Sequence, residues 1–164
     1  MDWSMTLNLV NTAAVTIGVL FGGYQLLELR RQRKRDGILN LVRSFQSADF
    51  TAALGRVNTL PDGARLKDIR RTLGPSGRDQ VFLVGLTWES LGVLASRGEV
   101  DLDTIDDFFR GAIVISWRKL RVFVEEDRRE LDRDTVWEWF QWLAERIAER
   151  EQRQRPVPAH LARR

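Results

Sequence analysis

The stretch VFLVGLTWESLGVLAS, Val81 to Ser96, is apolar on nearly every side when wound at about 100° per residue. A helix of this kind is shielded by other helices rather than by water, so it belongs in the middle of an all-α bundle. Ser76 offers an N-cap ahead of it, with Asp79 three residues on, and Gly98 ends it at a position suited to positive φ. One residue breaks the pattern. Glu89 lies on the same side as Phe82, Leu86 and Val93, an odd place for a carboxylate. An Arg on a neighbouring helix is its expected partner in a buried ion pair, because an unpartnered buried charge is costly.

The flanking segments also read as helices. Ile38, Leu39, Leu41, Val42 and Phe45 predict one running to about Ser44, with Gly37 as its bend. Ser47 or Asp49 caps the next, which carries Phe50, Ala53, Leu54 and Val57 and stops before Leu60-Pro61-Asp62-Gly63. A short helix from Ala64 to Leu73 ends at Gly74-Pro75. Beyond the central helix, Asp101 or Asp103 caps a long one. On it Ile105, Phe108, Phe109, Ala112, Ile113, Trp117, Leu120, Phe123 and Val124 recur at three- and four-residue spacing. Asp134 caps the last helix, with the stripe Trp137, Phe140, Leu143, Ala144 and Ile147. No run alternates with period two over a useful length, so essentially no β-structure is predicted. The predicted helical domain spans residues 37–150, and the charged, proline-containing segment 151–164 reads as a flexible tail.

The N-terminal segment has a different character. Trp3 to Leu27 contains no charged residue and no proline. At about 1.5 Å of rise per residue it is long enough to cross a bilayer core of about 30 Å with some tilt. Residues 1–29 are therefore expected to form a single retained transmembrane helix. Residues 30–36 form a basic juxtamembrane segment in which Arg30, Arg31, Arg33, Lys34 and Arg35 contact anionic lipid headgroups. Flanks rich in Lys and Arg stay cytoplasmic, which places the N-terminus outside the inner membrane and the helical domain in the cytoplasm. Asn8, Asn11, Ala14, Gly18, Gly22 and Gln25 share one face of the span. Small residues every four positions let two helices approach closely, and amides in hydrocarbon seek partners, so this face is read as one of self-association or of a pore.

Charge narrows the function classes. The chain has 164 residues, 26 Lys+Arg, 23 Asp+Glu and a formal charge of +3. Residues 1–35 hold five cations and two anions, which already makes +3, and residues 36–164 balance at 21 against 21. The basic excess is thus membrane-proximal, and no nucleic-acid partner is expected. With no Cys and one His, His160, disulfides, thiol catalysis, a zinc ribbon and a Ser-His-Asp triad are excluded or very strongly disfavoured. No Gly-rich phosphate loop occurs, and the runs Asp106-Asp107 and Glu125-Glu126-Asp127 read as helix-end and solvated-face charges. No catalytic residue, cofactor site or metal site is therefore assigned. Trp88, Trp117, Trp137, Trp139 and Trp142 read as core or protein contact rather than as stacking platforms for bases. Trp139 lies off the Trp137/Phe140/Ala144 stripe and is the candidate partner-interface residue.

The segments TWESLGVLASRGEVD (87–101), Phe108-Phe109, ISWRKLRVFVEEDR (115–128) and VWEWFQWLAER (136–146) resemble a bacterial family of uncharacterised proteins. Ala48-Asp49-Phe50 fits the same layout. The resemblance implies one N-terminal membrane helix and an all-helical cytosolic domain. It carries no activity or catalytic residue. The expected function is a non-catalytic module for protein interaction and oligomerisation, anchored in the bilayer, self-associating and bound to an unknown protein partner. The alternative is a homo-oligomeric channel or membrane-perturbing effector with the polar and glycine face lining the pore.

Overall fold

The computed structural model describes residues 47–153 continuously, together with Phe21, Gly22, Tyr24, Gln25, Phe45 and Leu161. The chain divides into two compact units, residues 1–41 and 42–164. In the first, the four described residues are helical, and Phe21 and Tyr24 are exposed. Asn8, Asn11, Ala14, Gly18 and the five cations at 30–35 lie outside the described residues, as do most of the predicted span 1–29 and the predicted helix at 37–44. Among the described residues no helix is long and apolar enough to cross a membrane.

The second unit is all-helical in its described residues, with α1 (Ala48–Asn58), α2 (Leu66–Leu73), α3 (Gly77–Ser96), α4 (Leu102–Leu131) and α5 (Glu138–Arg153). Ser47 starts α1, its Oγ accepting the Phe50 N–H at 3.3 Å, and Phe50, Ala53 and Val57 form the buried face. The chain then turns through Gly63 at φ 65 and docks on α4. There the Gly63 and Ala64 N–H groups donate to the Arg118 and Lys119 carbonyls at 2.9 and 2.8 Å. Asp62 clasps the same turn of α4, 2.8 Å from Lys119 and 3.1 Å from Arg118. These cations, Lys119 foremost, hold its carboxyl below the usual aspartate range. The start of α2 is capped from α4, the Leu66 N–H donating to Glu126 Oε2 at 3.3 Å.

Helix α3 is central, as its all-round apolar sequence predicts, and packs on each of the other four helices. Its most intimate partner is α5. Two details differ from expectation. Ser76 stands at the N-cap but makes no side-chain cap bond; Gly77 instead brings the helix start against α2, where a Cβ would lie 2.7 Å from Leu73 Cβ. Leu83 and Leu86 also face outward, 39% and 54% exposed, so the helix is not covered on every side.

Asp101 caps α4, its Oδ1 accepting the Thr104 N–H at 2.7 Å, and that bond lowers its carboxyl pKa. Phe108 departs from the expected stripe and is exposed, whereas Phe109 meets Phe45 at 4.2 Å between ring centroids with the rings tilted by 33°. Phe45 also meets Phe50 and Trp88 at 5.2 and 5.1 Å, closing one end of the core with aromatics. Helix α5 buries Phe140, Leu143, Ala144 and Ile147 as its stripe predicts. Trp137, however, precedes the helix rather than riding on it.

Candidate functional site

The turn between α4 and α5 holds two residues in the left-handed region. Asp132 at φ 49 and Trp137 at φ 61 are both left-handed, and they are the non-glycine residues with positive φ among those described. For a bulky side chain such a conformation costs on the order of 1 kcal/mol or more, so surrounding contacts must hold it. The Trp137 ring lies directly on Gly85 of α3, where a Cβ would come within 2.6 Å of Cζ3. It meets Phe82 edge-on at 5.2 Å. The Trp137 indole N–H donates to Asp127 Oδ2 at 3.0 Å. Arg128 binds the turn from the other side, donating to the Val136 carbonyl at 2.8 Å and to Gln141 Oε1 at 2.7 Å. This geometry corrects the reading of Trp137 as a helical stripe residue and of Asp134 as the cap of α5.

Glu89 supplies the cap from α3. Its Oε2 accepts the Phe140 N–H at 2.7 Å, with the Trp139 N–H beside it, answering donors that the first turn of α5 leaves unpaired. None of the ion pairs among the described residues includes Glu89, so the buried Arg partner expected for it is replaced by a helix N-terminus. Burial raises the Glu89 pKa above the ordinary glutamate value, and the two N–H groups only partly oppose it. A raised folded-state pKa stabilises the fold fully below the unfolded-state value, and that contribution is lost as pH rises through the folded-state value. Glu89→Gln keeps an acceptor for Phe140 without the charge. In urea titrations from pH 4 to 8 the variant is therefore expected to gain stability relative to wild type as pH rises. A constant offset from wild type, or a variant that loses stability relative to wild type as pH rises, contradicts this.

Asp127 is the site residue that sequence reading passed over. In place of the solvated face expected for Glu125-Glu126-Asp127, it is only 3% exposed, held between the Trp137 indole and Arg78, whose Nη2 stands 3.6 Å from Oδ1. The signal was present: Asp127 falls three residues after Val124, four after Phe123 and seven after Leu120, which puts it on the buried stripe. Arg78 lies over the Phe82 ring, its guanidinium carbon 5.3 Å from the centroid.

These residues line an open cleft of about 380 Å³ at the junction of α3, the end of α4 and the turn before α5. Phe82, Val136 and Trp137 give it an apolar floor. Leu86 and Leu131, 54% and 57% exposed, edge it with apolar surface, and Arg78, Arg133 and Thr135 supply polar edges. The volume falls in the range of about 300–1,000 Å³ usual for ligand pockets. Of the residues singled out from sequence, Glu89 lines this cleft. Trp139 does not. It is half-buried, edge-on to Trp142 at 6.0 Å, with its backbone pressed against Gly92 of α3. Gly22 and Gln25 belong to the other unit.

In its described residues the chain is all-helical, with an amphipathic cleft at a helix junction. The chain belongs to the DUF4760 family, a domain of unknown function, whose model matches residues 12–147. That span begins inside the apolar N-terminal stretch and ends at Ile147, the last buried residue of α5. No curated protein and no solved structure matches the chain.

Proposed function

We propose that this chain is a non-catalytic, single-pass inner-membrane protein whose cytoplasmic helical domain binds a protein partner through the α3–α4–α5 cleft. The observation that carries the reading is the exposure of Leu86 and Leu131 beside the cleft's apolar floor. Apolar side chains gathered at a concave site are what a partner side chain covers. The uncharged stretch Trp3 to Leu27 and the cations after it support a membrane tether with its N-terminus outside. Ala14, Gly18 and Gly22 support self-association along one face.

The test uses the full chain carrying Leu86→Asp and Leu131→Asp. Exposed positions tolerate such changes within about 0.5 kcal/mol, so the melting profile should hold while the partner co-purified from native-host membranes is lost. Recovery of the same partner at the wild-type level overturns the proposal. The polar face of the N-terminal segment also admits a pore. That reading requires Asn8→Leu with Asn11→Leu to abolish conductance, whereas a tether keeps both localisation and partner binding.

A further inference from the structure

The charges of the cleft are unevenly committed. Asp127 is engaged by the Trp137 indole and neutralised by Arg78, and Glu89 is engaged by the start of α5. Arg133 belongs to none of the ion pairs among the described residues. The 3.6 Å between Arg78 and Asp127 is too long for a hydrogen bond, so the guanidinium fork still has donors to give. The positive edge is the one with binding capacity to spare, and a planar guanidinium takes a carboxylate through two parallel N–H bonds.

Position narrows the ligand further. The Arg78 charge rests on the Phe82 ring, so a carboxylate bound there has the apolar floor directly beside it. The carboxylate of an internal Asp or Glu brings its own polar backbone to that spot. At a chain terminus, by contrast, the α-carboxylate and an apolar side chain share one Cα. A cleft of about 380 Å³ also has room for one or two residues rather than for a helix.

We infer that the cleft receives the carboxyl-terminal residue of the partner protein, its α-carboxylate on Arg78 and its apolar side chain between Phe82, Leu86 and Leu131. This rests on the reading of the cleft as the partner site and names the chemistry of what binds there.

The test titrates the full chain, in dodecyl maltoside, into fluorescein-labelled Gly-Gly-Ser-Leu-Leu, read by anisotropy. The free acid is compared with the same peptide as its C-terminal amide. A charge-assisted bond predicts about ten- to hundredfold tighter binding of the acid. Arg78→Gln should remove that discrimination, and Arg71→Gln on α2 should retain it. Equal binding of acid and amide overturns the inference, as does discrimination that survives Arg78→Gln. Preference for an internal Asp-Leu-Leu peptide with a blocked terminus overturns it too. If Arg78→Gln lowers the melting temperature, the acid-to-amide ratio of the wild-type chain decides alone. Loss of the partner in the Leu86→Asp/Leu131→Asp chain, with no acid preference, leaves the partner reading standing and rejects only this one.

Discussion

Trp137→Ala is expected to lower the stability of the helical domain by about 3–5 kcal/mol, the range for removing a buried large aromatic. The ring is 6% exposed, packs on Gly85 and Phe82, and provides the indole N–H that satisfies Asp127. Its loss leaves a cavity and a buried carboxylate with Arg78 as its remaining partner. Trp137→Phe separates the two effects: it keeps most of the packing but strands Asp127, at a cost of about 1–3 kcal/mol. Gly85 provides an internal check. In wild type, Gly85→Ala drives a Cβ to 2.6 Å from the ring and destabilises. Once Trp137 is alanine the same change no longer meets the ring and gains helix propensity of up to about 1 kcal/mol. Urea titrations of the two single variants and the double variant should therefore be strongly non-additive. Additive costs would show that the ring does not seat on Gly85.

The second large effect lies one and two turns along α3. Gly92→Ala places a Cβ against the Trp139 carbonyl, 2.8 Å from its carbon and 3.0 Å from its Cβ. The added Cβ is fixed by the α3 backbone and the Trp139 carbonyl is itself backbone, so neither can swing aside and the two helices must separate. The expected cost is at the upper end of the ~1–3 kcal/mol typical of overpacking, against a propensity gain of up to about 1 kcal/mol. Because Glu89 caps α5 at Phe140, separation also lengthens the 2.7 Å cap bond. The thermal melt should drop by several degrees or more. An unchanged melt contradicts the close crossing of α3 and α5.

Much of the architecture was legible because it depends on local chemistry. Ser47 and Asp101 cap their helices with their own side chains, Gly98 adopts φ 69, and the stripe from Phe140 to Ile147 is buried. The site was less legible because it depends on contacts between elements distant in sequence. Trp137 continues the helical spacing of Phe140 and Ala144, so periodicity cannot reveal that its φ is positive. Glu89 stood out on an apolar face, but its partner is the backbone of a helix start 51 residues away, which no residue type announces. Asp127 was obscured by its acidic neighbours. Glu126 caps α2 while Asp127 turns inward, and the run conceals this division until the stripe of Leu120, Phe123 and Val124 is extended through it.

The cleft as the partner site is tested most directly by site-specific photo-cross-linking in the native host. The full chain carries benzoylphenylalanine at position 131, or at position 71 on α2, where Arg71 is well exposed. The expected result is one discrete adduct from position 131, lost when Leu86→Asp is added, and none from position 71. An equal adduct from position 71, or no adduct from position 131, contradicts the cleft as the binding site.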